Sequence, residues 1–168
     1  GPDGLTARAL AARLGCSVKP IFGLFENMEE LQRAVLAAAF EKYSRFIAAE
    51  MTKGEYAPYK ASGMAYIRFA RDERELFKLL FMRERSREEQ LSATNDDVKP
   101  LLQLISKNTG MTEAEAARFH TEMWLFVHGI ATMIATSFLD WSDEDVSRAL
   151  TDVYEAMTRR WARKENRK

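Results

Sequence analysis

A chain of 168 residues with 46% hydrophobic side chains is long enough to bury a sizeable core and too apolar to stay disordered. Its 25 lysines and arginines balance 25 aspartates and glutamates, so no global basic field points to nucleic acid and any such contact must come from a local patch. A single cysteine, Cys16, excludes an internal disulfide framework and fits a reducing cytoplasm, no apolar run approaches the roughly 20 residues of a membrane span, and no signal peptide is evident.

Helical periodicity runs through nearly the whole chain and alternating β-branched runs are almost absent, which predicts an all-α fold. Gly1 to Gly4 reads as a loop. Leu5, Ala9, Leu10, Ala12 and Leu14 then form a small-residue stripe on a short helix that Gly15 ends, and Ser17 is placed to cap the next one. In that second helix Pro20 falls in the first turn, where its missing N–H costs no hydrogen bond, and Ile21, Phe22 and Phe25 anchor it. Asn27 followed by Glu30 resembles a capping box opening a long helix to about Met51, with Leu31, Val35, Ala39, Tyr43 and Phe46 at spacings of three and four.

Thr52 to Pro58 breaks that helix with a glycine and a proline and divides a head, residues 1–51, from a body, residues 52–168. In the body, one helix is expected through Met64, Ile67, Phe69 and Ala70, and a shorter one over Glu75 to Arg83. Arg83 to Asn95 reads as a solvated helix end and loop, and Asp97 to Lys107 as a modest helix. Thr112 with Glu115 caps a long helix to about Leu139, and Ser142 with Asp145 caps the last, which ends in a basic tail from Arg159 to Lys168. Ile130, Ile134, Leu150, Val153 and Met157 make apolar seams on these two helices, which would pair with a second copy as a four-helix bundle.

The segment L-T-x-R-x-L-A-x-x-L-G-x-S-x-x-x-I-F-x-x-F-x-N-x-E-E-L, from Leu5 to Leu31, is similar to the DNA-binding segment of the tetracycline repressor (TetR) family. The LFKLLF run in the body and WLFVHG at Trp124 to Gly129 also resemble that family. The resemblance implies a helix-turn-helix head, a further helix ahead of Gly1, and a helical body that binds an effector and dimerises. The family usually carries tyrosine, histidine and lysine where this chain has Phe22, Leu24 and Met28. That departure leaves the packing intact and removes side chains that commonly hold DNA phosphates.

The expected function is thus a repressor that binds a palindromic, double-stranded DNA operator as a homodimer and responds to a small apolar effector. Ser17, Val18, Lys19 and Phe22 are candidate DNA contacts, because the first turn of a recognition helix enters the major groove, and Thr6, at the start of the preceding helix, is a candidate phosphate contact. Met64, Phe81, Met123, Trp124 and His128 are the candidate effector residues: methionine adapts to irregular apolar guests, and Trp124 and His128 add polar handles one turn apart. His120 and His128 lie about 12 Å apart along one helix, too far for one metal, and Cys16 has no partner at ligand spacing. No cofactor loop or activated nucleophile marks an enzyme. The competing expectations are a helical module whose head contacts protein without binding DNA, and, more distantly, a hydrolase or transferase.

Overall fold

The computed structural model describes residues 6–84 and 98–165, and these fold into eight α-helices with no strand among them. Helix α1 (Ala7–Leu14) starts at Thr6, whose Oγ1 accepts the Ala9 N–H at 3.1 Å, and stops at Gly15, which takes φ +66°. The left-handed region is open to glycine without steric cost, so the N–H groups of Gly15 and Cys16 turn back onto the Ala12 and Ala11 carbonyls. Helix α2 (Lys19–Leu24) is capped by Val18 and not by Ser17, with no side-chain hydrogen bond. A side-chain cap stabilises by about 1 kcal/mol. Here the partly buried Val18 side chain packs against the head core instead, and burying it is worth a comparable amount.

Helix α3 (Met28–Thr52) opens at Asn27, whose Oδ1 accepts the Glu30 N–H at 2.9 Å. Glu30 reaches back to the N–H of Glu26 and not to that of Asn27, so the reciprocal half of the expected capping box is displaced by one residue. Ala11, Ile21 and Leu31 form a separate small core for the head, with Leu10, Val18, Phe25, Met28 and Val35 around it. Further along α3, Ala39 belongs to the core of the body, and Leu36, Tyr43 and Phe46 pack against it. One helix therefore serves both cores. The expected loop at Gly1 to Gly4 and the Leu5 side chain lie outside the described residues.

Helix α4 (Pro58–Asp72) is the axis of the body and touches α3 and every other body helix: α5 (Arg74–Phe81), α6 (Lys99–Thr109), α7 (Glu113–Ala135) and α8 (Asp143–Glu165). Its Ala61, Met64, Ala65, Tyr66, Ile67, Phe69 and Ala70 are buried. Gly63 sets the approach of its neighbours: a Cβ there would stand 3.3 Å from Leu150 Cδ1 and 3.5 Å from Val127 Cγ2. Two clusters fill the body. One joins α3, α4, α5, α7 and α8 around Phe69, Phe77 and Val146; the other joins α6 and α7 around Ile105 and Phe119, with Tyr59, Val153, Tyr154, Met157 and Trp161 against it.

The ends of these helices follow local chemistry. Thr112 and Glu115 make a complete reciprocal capping box for α7, and Ser142 and Asp145 exchange the same pair of bonds at the start of α8. Helix α7 stops at Ala135, four residues earlier than the periodicity predicts, because Ser137 turns to φ +60° and the Phe138 N–H returns to the Met133 carbonyl at 2.9 Å. That six-to-one bond closes the helix before its apolar pattern ends. The polar stretch from Arg83 to Asn95 lies outside the described residues from residue 85 on, as does the basic tail from residue 166.

Candidate functional site

Two tyrosine–histidine pairs bridge α4 and α7. Tyr66 and His128 meet through the phenolic oxygen and Nδ1 at 2.9 Å, and Tyr59 and His120 through the same atoms at 3.1 Å. The spacing explains the repetition: the tyrosines are seven residues apart on α4 and the histidines eight apart on α7, so each pair returns after about two turns. A polar group placed in an apolar interior is costly unless bonded, and each member of a pair satisfies the other.

Around the first pair lies a continuous set of rings. Tyr66 is flanked by Phe77 and Phe81 at 5.4 and 5.1 Å between centroids, Tyr43 of α3 reaches Phe81 at 5.2 Å, and Trp124 stacks on His128 at 4.9 Å with planes 16° apart. Four of the five expected effector residues sit here or just beneath: Phe81, Trp124 and His128 in the ring set and Met64 in the core of the same cluster. Met123 points the other way and is buried in the second cluster with Phe119 and Met111. The tyrosines that supply the hydroxyls, Tyr59 and Tyr66, are absent from the sequence-based set. Their signal was the seven-residue spacing set against the histidines' eight.

The second pair is partly buried. Burial pushes the Tyr59 hydroxyl well above its ordinary value, with neighbouring Tyr154 adding to it, and burial holds the His120 imidazole below its usual value. Both groups therefore favour the neutral form. A cleft of about 420 Å³ lies on α6 and the start of α7, lined by Lys99, Leu102, Gln103, Ser106 and Glu113, which are not effector residues of the sequence-based set.

The seams expected at a dimer interface turn inward. Ile130, Ile134 and Leu150 are buried in the chain's own core, and Val153 and Met157 pack against the second cluster. What α7 and its following turn present to solvent instead is Trp124 (41% exposed), Leu125 (59%), Met133 (43%) and Phe138 (81%). Gly129 lies among them, with open space where a Cβ would stand.

In the head, Ser17, Lys19 and Phe22 are exposed at the start of α2, and Val18 is partly buried. Thr6 spends its hydroxyl oxygen on the α1 cap while staying exposed at that helix end. Among the described residues no group of three or more histidines, cysteines, aspartates or glutamates could hold a metal, and no helix is long and apolar enough to cross a membrane.

No curated protein and no solved structure matches the chain. Residues 59–161, more than half of it, match the family described as the tetracyclin repressor-like, C-terminal domain. This match covers the body from the first tyrosine of the pairs to Trp161, whereas the repressor-like motif of the sequence lies in the head, so the two fall on separate segments. The chain belongs to the tetracycline repressor family of transcriptional regulators, a family of regulators and not of enzymes.

Proposed function

We propose that this protein is a ligand-responsive repressor that binds a palindromic operator as a homodimer, with residues 1–51 as the DNA-reading head and 52–168 as the effector and dimerisation body. The observation that carries this reading is α3, a single helix of 25 residues that belongs to the small head core at one end and to the body core at the other. Such an element transmits a shift in the body to the head without a hinge between them. The exposed first turn of α2, with Lys19 and Phe22 and with Ser17 just ahead of its cap, is of the kind that enters a major groove, with Val18 seating it and Thr6 near a phosphate.

The effector is a small, largely apolar molecule received at the ring set of Phe81, Trp124, His128 and Met64, with Met123 on the far side of α7. Its binding shifts the balance between two arrangements of the body by about 1 to 3 kcal/mol, enough to change operator affinity roughly 5- to 150-fold. The dimer pairs α7 and α8 with their copies. Leu125, Met133 and Phe138 carry the contact, since Ile130, Ile134 and Leu150 already face inward and Val153 and Met157 are half covered. Large apolar side chains left exposed along one helix and the turn after it favour such a contact.

The deciding experiment is binding to the DNA upstream of the gene itself, with and without a library of hydrophobic compounds. Salt-sensitive retention of a palindromic fragment, relieved by some compounds, is the expected result; failure to bind any such fragment removes the proposal. Exposed Leu14, Phe22 and Leu24 favour a second reading, a head that contacts another protein, and that reading would then take precedence.

A further inference from the structure

Three carboxylates from three parts of the chain converge on one guanidinium. Arg68 of α4 donates from Nη1 to Glu50 Oε2 at 2.7 Å, from Nη2 to Glu55 Oε2 at 2.8 Å, and from Nε to Asp143 Oδ2 at 2.7 Å. Glu50 lies in the last turn of α3, Glu55 in the loop after it, and Asp143 is the first residue of α8. Arg71, one turn along α4, holds the other oxygen of Asp143 and also donates to the Trp141 carbonyl at 2.9 Å. The Tyr56 ring lies 5.9 Å from the Arg68 guanidinium.

This is not an ordinary surface pair. The side chains of Arg68 and Glu50 are only 16% and 12% exposed, whereas those of Arg33 and Glu29 near the other end of α3 are 65% and 77% exposed. Burial alone would raise the Glu50 and Asp143 carboxyls. Hydrogen bonds from Lys53 and Arg68 at Glu50, and from Arg71 and Arg68 at Asp143, hold both below their ordinary values. The three donors leave Arg68 in three directions of one plane, a geometry that the single ammonium of lysine cannot reproduce. A second tether, Lys42 to Glu73 at 2.8 Å, ties the middle of α3 to the junction of α4 and α5 and is more exposed.

We propose that Arg68 is the positioning residue that sets the angle of the connecting helix, and with it the place of the head, by joining the end of α3 to the start of α8. The lever is long: the 23 residues from Asn27 to Glu50 span about 35 Å, so a tilt of about 5° at this anchor displaces the head by about 3 Å. A two-headed reader of DNA tolerates little such error. The functional meaning of the anchor rests on the proposed operator binding; its mechanical claim does not.

The test reads the mechanics without DNA. Spin labels on Cys16, the exposed natural cysteine of the head, and on an Asp152→Cys site in α8 report one distance within a chain when labelled protein is diluted with excess unlabelled Cys16→Ser chain. The intact anchor should give one narrow distribution. Arg68→Gln and Glu50→Gln should broaden it or move it by roughly the 3 Å lever displacement, and Arg68→Lys should do the same, because it keeps the charge and loses the fork. Arg33→Ala should match the wild type. If Arg68→Gln does not fold, Glu50→Gln decides alone, since it leaves Arg68 paired with Glu55 and Asp143. A folded Glu50→Gln or Arg68→Gln with lower thermal stability and an unchanged distance overturns the proposal and reduces the cluster to a stabilising one, and a wild-type distance in Arg68→Lys overturns the role of the fork. A wild type that binds no operator, with variants that show these shifts, defeats the proposed function and leaves the anchor standing.

Discussion

Trp124 lies nearly flat on His128, and the same imidazole is bonded through Nδ1 to the hydroxyl of Tyr66, which is only 6% exposed. A surface indole is thereby linked in two contacts to the axis helix of the body, and through Tyr43, edge-on to Tyr66 at 6.2 Å, to the helix that carries the head. An effector that moves Trp124 would disturb every member of this series.

Replacing either end of the series separates recognition from stability. Trp124→Ala removes a half-exposed ring and should leave the folded protein stable while blunting release of DNA by hydrophobic compounds. Tyr66→Phe deletes a buried hydroxyl and should lower unfolding free energy by about 1 to 2 kcal/mol. Urea denaturation of both variants beside an operator-release assay checks the contrast; full release by Trp124→Ala would remove this residue from the effector site.

The outward stripe on α7 should govern oligomeric state. Leu125→Glu is expected to shift sedimentation from two chains toward one without loss of helicity, because Leu125 packs against nothing in its own core. Ile134→Glu, buried at the centre of the body, should unfold the chain instead. A dimer unaffected by Leu125→Glu would place the interface elsewhere.

His120 makes stability depend on pH with a defined sign. Its imidazole is held by burial below its ordinary value of about 6.5, so the unfolded chain binds the proton more readily than the folded one. The contribution of the neutral, Tyr59-bonded histidine is therefore complete above about pH 6.5 and declines as pH falls through that value toward the depressed folded one. Thermal melting between pH 7.5 and 5 should show this loss, and His120→Gln should flatten it; a variant with the same slope would assign the effect to other groups.

In the head, Lys19→Ala should weaken specific operator binding by about 1 to 3 kcal/mol with little change in melting temperature, since the residue is exposed at the first position of α2. Phe22, exposed where the family usually has a phosphate-binding tyrosine, should contribute much less to the salt dependence. Fluorescence titration over a range of salt separates the two, and equal affinity for Lys19→Ala and wild type would mean that α2 does not enter the groove as proposed.

Helix caps and ends were legible in the sequence because they depend on residues three or four apart. Asn27, Thr112 with Glu115, Ser142 with Asp145, and Gly15 each act within one turn, and each is found at a helix end. The all-α class followed from the same short-range periodicity. What only the tertiary structure decided is direction and partnership. Helix α7 carries apolar residues around most of its circumference, so periodicity offers no unique inner face, and packing against α4 turned Ile130 and Ile134 inward and left Leu125 and Met133 outside. Val18 took the cap position from Ser17 for the same reason, since the head core holds its side chain. The pairs Tyr59–His120 and Tyr66–His128 join positions about sixty residues apart, and Arg68 reaches Glu50 and Asp143 across 18 and 75. In a linear pattern each of these is an ordinary polar residue on a solvated helix; its bond exists only because burial in the packed body makes leaving it unpaired too costly.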